Sequence, residues 1–156
     1  MWHGWSDTGV PPELSLNYRA AVRRLMGEQA ADQFVALYML PGIYHCTAGP
    51  SPSNHDLLTP LLAWVEDGTR PGRIVMNFQA SATDGQTVRS RPVFPYPATV
   101  RYRGEGNPDD AANYVETPPA FQGDDRITWL GSYTEEPGQQ LWCGWEVGSF
   151  VCRPRP

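Results

Sequence analysis

The order of apolar and polar positions predicts a helix, a buried strand and a loop over the first part of this chain. Residues 12–30 carry apolar side chains at helical spacing, so one face of a helix is expected there. That face consists of Leu14, Tyr18, Ala21, Val22 and Leu25. A continuous apolar run follows at 34–40, which is typical of a strand covered on both faces of a parallel sheet. Because Pro41 and Gly42 break the run, the next residues should form a loop at the end of that strand.

A second helix and two further strands are predicted downstream. A helix that ends near Gly68 is predicted from the helical spacing of Leu57, Leu58, Leu61, Leu62 and Val65. Pro60 lies either in its first turn or at a kink. Strand candidates follow at 73–78 and 87–93. Helices and strands that alternate in this way predict an α/β fold, and no internal repeat interrupts the pattern.

Two short motifs carry the candidate chemistry. His-Gly-Trp-Ser-Asp occupies residues 3–7, and Pro-Gly-Ile-Tyr-His-Cys occupies residues 41–46. A loop carboxylate followed along the chain by a histidine after a buried strand has the order of the last two members of an α/β-hydrolase triad. In such a triad the carboxylate orients the imidazole, which accepts a proton from a serine. We therefore expect Asp7 and His45 to be the catalytic acid and the general acid/base.

The nucleophile of such a triad is not evident in the sequence. In this fold the serine precedes the acid and the histidine, within a Gly-x-Ser-x-Gly turn, and no serine here has that setting. The strand expected before the acid is also short, because only Met1 and Trp2 precede His3. We expect an incomplete sheet with an exposed edge, a serine on a missing N-terminal segment, and no hydrolase activity from the chain alone. A split hydrolase, with that segment made separately, is an alternative to a truncated chain.

Together the two motifs resemble the C-terminal part of the tannase and feruloyl esterase family. The likeness continues through residues 56–68 and 91–97, and then at Tyr102, Gly104, Gly106 and residues 110–114. It implies that residues 1–116 are the C-terminal segment of an α/β-hydrolase catalytic domain and that residues 117–156 are an irregular or β-rich extension. It also implies a serine carboxylic-ester hydrolase that acts through an acyl-enzyme on a small aromatic ester, such as a gallate or ferulate, without a cofactor.

The three cysteines are expected to have two different roles. The resemblance implies that Cys46, directly after His45, is disulfide-bonded to a cysteine outside this chain that stands next to the nucleophilic serine. Cys143 and Cys152 flank a segment typical of a hairpin, and a disulfide is expected to bridge it. Three reduced thiols in a cytoplasmic product are the alternative. No spacing in the chain supplies four metal ligands, so no metal site is expected.

Charge and hydropathy exclude other classes of partner. The formal net charge is −5, and the 12 basic residues form no stripe beyond Arg19, Arg23 and Arg24 on one predicted helix. This distribution argues against nucleic-acid binding. No run approaches the roughly 18 apolar residues that a membrane span needs, and the N-terminus lacks the pattern of a signal peptide. By the family resemblance, the full-length protein is nevertheless expected to be secreted or periplasmic.

Several of these residues also have a purely structural interpretation. Asp7 could cap the helix that starts near Pro11, although the spacing is slightly long for an N-cap. His3 is expected to be a structural residue at a strand end near the site, and His55 to lie at the N-terminus of the next helix. The tail offers a hypothesis of another class, a binding module for a sugar or phenolic ligand. Its aromatic platform would consist of Trp129, Trp142 and Trp145.

Overall fold

The computed structural model describes residues 1–45, 53–81, 83, 85–119 and 141–154. The α-helices in this part of the chain are α1 (Glu13–Met26), α2 (Glu28–Ala31) and α3 (Leu58–Asp67). The strands are β1 (Trp2–Gly4), β2 (Tyr38–Leu40), β3 (Ser53–His55), β4 (Ile74–Gln79), β5 (Thr87–Val93), β6 (Thr99–Tyr102), β7 (Tyr114–Thr117), β8 (Leu141–Glu146) and β9 (Ser149–Pro154). A short 3-10 turn at Ala111–Asn113 precedes β7.

The described strands form several small sheets. β1 and β2 pair in parallel, with Trp2 opposite Tyr38 and Gly4 opposite Leu40. β3, β4 and β5 form an antiparallel sheet in that order, while β6 pairs with β7 and β8 pairs with β9, both antiparallel. Strands that run parallel end at the same edge, so the loops after β1 and β2 leave the pair side by side.

The hydrophobic core joins the parallel pair to the antiparallel sheet. Buried side chains on and around β2 pack against the inward-facing side chains of β4 and β5. The cluster comprises Ala36, Tyr38, Leu40, Ile43, Ile74, Met76, Phe78 and Val93. Each large side chain in such a cluster stabilises the fold by about 1.5–3 kcal/mol. Because Ile43 belongs to the cluster, the core fixes the chain two positions before His45.

The predicted helix over residues 12–30 is interrupted by a glycine. α1 ends at Met26, and Gly27 adopts a φ of 83° before α2 begins at Glu28. A positive φ is accessible to glycine at little steric cost, so the chain changes direction there. Arg23 on α1 forms ion pairs with Glu28 and with Asp32, which hold the two helices together.

The strand predicted at 34–40 is confirmed only for its last three residues. The Val35 amide donates a hydrogen bond to the Ala31 carbonyl over 2.8 Å, which extends the turn after α2 into the predicted strand. Phe34 is exposed, whereas every residue of β2 is buried. The apolar run therefore contains a turn followed by a strand, and hydrophobicity alone does not distinguish the two.

Helix α3 is confirmed where the sequence predicts it, and it has an exposed apolar face. Asp56 accepts hydrogen bonds from the amides of Leu58 and Thr59 at its start, and Gly68 ends it in the left-handed conformation. Pro60 lies in the first turn, where an amide donor is not needed. None of its residues is buried, and a groove of about 310 Å³ runs between α3 and the β1–β2 pair. The exposed large side chains of α3 are Leu58, Leu61, Leu62 and Val65.

The predicted hairpin of the tail is present as β8 and β9. Cys143 stands directly opposite Cys152, and the two are disulfide-bonded. Val147 and Gly148 form the two-residue turn, both with positive φ, at 43° and 81°. Such turns match the twist of the strands they join, and they favour asparagine or aspartate followed by glycine. Valine at the first position is therefore unfavourable in this turn.

Val147→Asn should stabilise this hairpin. A β-branched residue is disfavoured at positive φ, and Val147 is fully exposed, so its side chain loses no packing on replacement. We expect a gain of about 1 kcal/mol, measured as slower amide hydrogen exchange along β8 and β9. Val151→Asn, within β9, is the matched control and should speed exchange. Unchanged or faster exchange in Val147→Asn would contradict the role assigned to the turn.

Candidate active site

The loops after β1 and β2 are joined by backbone contacts. The Trp5 amide donates to the Leu40 carbonyl over 2.9 Å, and the Ser6 amide donates to the Ile43 carbonyl over 3.1 Å. Gly4 lies so close to the second loop that a Cβ added to it would overlap the Ile43 carbonyl and come within 2.9 Å of the Tyr44 carbonyl oxygen. The residues that follow Gly4 and Ile43 are therefore held next to each other.

Asp7 is the buried anion of this site. Its side chain is 4% exposed, and its Oδ1 accepts hydrogen bonds from the amides of Gly9 (2.8 Å) and Val10 (2.9 Å). Its Oδ2 lies 2.8 Å from Nδ1 of His45. The bond from the Val10 amide, followed by those from His45 and Gly9, holds the pKa of Asp7 well below its usual range, although burial opposes this shift. Asp7 is thus ionised at neutral pH.

His45 is the accessible partner of that anion. Its side chain is 60% exposed and contacts the carboxylate through Nδ1. Since an ionised carboxylate can only accept, Nδ1 carries the hydrogen of the neutral imidazole, and the lone pair is on Nε2. An imidazole in this tautomer can take a proton through Nε2, and the carboxylate stabilises the cation that results.

Asp7 does not cap α1. The N-cap position of that helix is Pro12, and no side chain caps it. Asp7 instead closes a turn with its own next residues, and its other oxygen faces the histidine. The structural interpretation of Asp7 as an N-cap is therefore wrong.

The other two histidines have different surroundings. His3 lies on β1, as expected of a strand-end residue near the site, and its Nε2 is 3.2 Å from Asp7 Oδ2. His55 is in β3 rather than at the N-terminus of α3, which begins at Leu58. Its ring stands edge-on to Trp2 at a centroid distance of 5.5 Å, and burial lowers its pKa. The structure thus brings His3, Asp7 and His45 together, with His55 in a different contact.

Three members of the site escaped the sequence analysis. Gly9 and Val10 supply the amides that bind Asp7, and Ser15 binds His3 over 2.7 Å. The Thr8-Gly9 pair is a turn signal that could have indicated the first two. Ser15 sits in the first turns of a helix, where nothing in the local pattern distinguishes it from a solvent-facing serine.

Some of the residues that the sequence singles out lie outside the described part of the chain. Cys46 and Trp129 fall outside the described ranges, and the side chain of Trp142 is not described. Within those ranges, no three His, Cys, Asp or Glu side chains are grouped as metal ligands would be. No helix of the described part is both long and apolar enough to cross a membrane.

Comparison with known proteins identifies the family. The model of the family described as tannase and feruloyl esterase matches residues 1–117, a span that contains both Asp7 and His45. The chain belongs to the tannase and feruloyl esterase family. The match ends at the last residue of β7.

Individual relatives of the chain support this placement. The chain is 35% identical over 115 residues to mono(2-hydroxyethyl) terephthalate hydrolase of Piscinibacter sakaiensis, covering 74% of this chain and 19% of that protein. It is 35% identical over 109 residues to a probable feruloyl esterase of Arthroderma benhamiae, covering 66% of this chain and 20% of that protein. The crystal structure of an esterase from Aspergillus oryzae superposes with a TM-score of 0.65 at 25% identity, over 74% of this chain and 26% of that one. These neighbours support an α/β-type fold, and the chain spans about a fifth of the length of both sequence relatives.

Gly4→Ala should separate the two loops of the site. Because the added methyl group would overlap the Ile43 carbonyl, the backbone of one loop must move. We expect a loss of about 1–3 kcal/mol in the free energy of unfolding. Gly72→Ala is the control, since a Cβ there meets nothing within 4 Å, and it should stay within about 0.5 kcal/mol of wild type. Equal stability of the two variants in urea titrations would show that the close approach is not a constraint.

Asp7→Asn should remove a stabilising contribution that depends on pH. The folded-state pKa of Asp7 lies below the unfolded value of about 4, so its contribution is present above that value and is lost as the pH falls through the folded pKa. At neutral pH the wild-type chain should therefore have a higher unfolding temperature than Asp7→Asn, and this difference in Tm should become smaller below about pH 4. A difference in Tm that does not change with pH would refute this prediction.

The matched control for that experiment is Asp56→Asn. Thr59, through its hydroxyl and its amide, lowers the pKa of Asp56, so this variant should also lose stability in a pH-dependent way. Asp56 bonds the start of α3 and not a histidine. Nitrogen-15 NMR should therefore find the Nδ1–H tautomer of His45 preserved in Asp56→Asn and lost in Asp7→Asn.

Proposed function

We propose that this chain supplies the acid and the general acid/base of a serine carboxylic-ester hydrolase, and that the nucleophilic serine comes from a polypeptide segment outside it. The observation that carries the proposal is the 2.8 Å contact between Nδ1 of the accessible His45 and Oδ2 of the buried Asp7. Its support is the placement of both residues on loops at the same end of a parallel strand pair, inside the span that matches the family.

The two residues would divide the proton transfer as follows. Nε2 of His45 takes the serine proton as the serine oxygen attacks the ester carbonyl, and the imidazolium then protonates the departing alkoxide. Water attacks the acyl-enzyme with the same imidazole as base, which releases the acid and returns the proton to serine. Asp7 stays ionised throughout, because its amide donors hold its pKa low. The oxyanion hole would come from the segment that carries the serine.

An ester of an aromatic acid is the proposed substrate class. The names of two relatives, a mono(2-hydroxyethyl) terephthalate hydrolase and a probable feruloyl esterase, both refer to aromatic acyl groups. The chemistry needs neither metal nor cofactor, since His45 and Asp7 handle the proton themselves. We further propose that Cys46 pairs with a cysteine beside the serine and that the whole protein works outside the cytoplasm. The Cys143–Cys152 disulfide supports an oxidising compartment.

A chimera tests this function directly. This chain would replace the segment of the Piscinibacter hydrolase that it matches, with the rest of that protein kept, and release of the aromatic acid would be followed. We expect the chimera to be active and the chain alone to be inactive. Within the chimera, His45→Ala should lower kcat by about 10⁴–10⁶-fold and Asp7→Asn by about 10⁴-fold.

The controls keep the chemistry apart from general damage to the protein. Asp67→Asn changes an exposed carboxylate at the end of α3, and His55→Gln changes a histidine outside the Asp7 contact, so both should retain the kcat of the chimera. A chimera whose activity survives His45→Ala would disprove the assignment. Activity of the unextended chain that is insensitive to His45→Ala would place the chemistry elsewhere.

The binding-module hypothesis keeps one observation in its favour. Trp145 is 76% exposed on the disulfide-bonded hairpin, edge-on to Phe150 at a centroid distance of 5.8 Å. An exposed aromatic pair on a braced strand pair suits a phenolic ring or a sugar face. In that case the ligand would bind the chain alone and Trp145→Ala would abolish binding, whereas His45→Ala would leave it intact.

A further inference from the structure

His3 makes three polar contacts in a nearly closed environment. Its side chain is 10% exposed. Nε2 lies 3.0 Å from the Val10 carbonyl oxygen and 3.2 Å from Oδ2 of Asp7, while Nδ1 lies 2.7 Å from the Ser15 hydroxyl on α1. Both ring nitrogens are therefore engaged, which contrasts with the largely exposed ring of His45.

These contacts select one tautomer of His3. A backbone carbonyl and an ionised carboxylate can only accept, so two acceptors face Nε2 and a bare lone pair there would be repelled by both. Nε2 must carry the hydrogen, and Nδ1 then accepts the hydrogen bond from the Ser15 hydroxyl. In the neutral state His3 is fixed as the Nε2–H tautomer, the opposite of the one assigned to His45.

This tautomer acts on both oxygens of Asp7. Its N–H dipole faces Oδ2, the same oxygen that receives Nδ1–H of His45. Its hydrogen bond to the Val10 carbonyl also holds the peptide segment whose amide donates to Oδ1. Ser15 anchors the imidazole to α1, so the plane of the carboxylate is tied to a helix as well as to its own turn.

We propose that His3 is a positioning residue that fixes the carboxylate of Asp7 for His45, a role that rests on the function proposed above. His3 does not exchange protons in the reaction, because both of its nitrogens are engaged and its ring is nearly buried. The exposed ring of His45 has no comparable enclosure. Its orientation depends on Asp7, and the orientation of Asp7 depends on His3 and Val10.

Two substitutions of His3 distinguish the effect of its N–H donor from the effect of its side-chain volume. His3→Leu fills similar space and cannot donate, whereas His3→Gln can place an N–H close to the position of Nε2. In the active chimera, His3→Leu should lower kcat by about 10–100-fold with KM unchanged, and His3→Gln should recover most of the loss. Ser15→Ala, which removes only the anchor, should give a smaller fall in kcat. A structural role alone would lower the yield of folded protein and leave the kcat of the folded fraction intact.

Nitrogen-15 NMR of the wild-type chain tests the inference without any activity. We expect hydrogen on Nε2 of His3 and on Nδ1 of His45, and we expect the His45 preference to weaken in His3→Leu and return in His3→Gln. Hydrogen on Nδ1 of His3 in the wild-type chain would overturn the inference. So would a His3→Leu protein that keeps both the kcat of the chimera and the His45 tautomer.

The two proposals fail in different ways. If the chimera is active and requires His45 while His3→Leu has no effect on kcat or on the tautomer, only the positioning role is wrong. If Asp7→Asn leaves both the His45 tautomer and the activity unchanged, the acid/base pair itself is wrong. The positioning role then falls with it.

Discussion

The close approach of two backbones is the constraint on which the rest of this structure depends. β1 and β2 run parallel, and beyond them Trp5 and Ser6 donate to the carbonyls of Leu40 and Ile43. Gly4 permits this contact because a side chain there would occupy the place of the Ile43 carbonyl. The core then fixes β2 through its buried side chains, and β1 is fixed through β2. A carboxylate and an imidazole from distant parts of the sequence meet because these main chains touch.

Asp7 and His45 differ in solvent exposure and in the hydrogen bonds that surround them. Asp7 is shielded from water and surrounded by N–H groups, so its charge is stable and its geometry is set before any substrate arrives. The His45 side chain is 60% exposed, which suits the proton-exchanging role proposed for it. A shielded anion beside an exposed imidazole is consistent with the acid/base chemistry proposed for the pair, and in the further proposal His3 also holds that anion.

The sequence predicted most of the elements but little of the site's inner structure. Proline and glycine punctuation with apolar periodicity located α3, β4, β5 and the hairpin, because those signals are local. The same signals overextended the strand at 34–40, since apolar residues in a turn have the same sequence pattern as apolar residues in a strand. The contact of Ser15 with His3 depends on where α1 lies relative to β1. No local pattern encodes that tertiary arrangement, so it could be found only in the structure.

The open apolar face of α3 has a consequence for how this chain behaves in solution. Leu58, Leu61 and Val65 meet water, and the groove beside them continues to Trp2. Attraction between such surfaces strengthens with sulfate and weakens with urea, and it fades on cooling. The net charge of −5 opposes self-association at low ionic strength but is screened by added salt. Low temperature and low ionic strength should therefore favour the monomeric chain. Salting-out reagents should promote association through the exposed apolar face of α3.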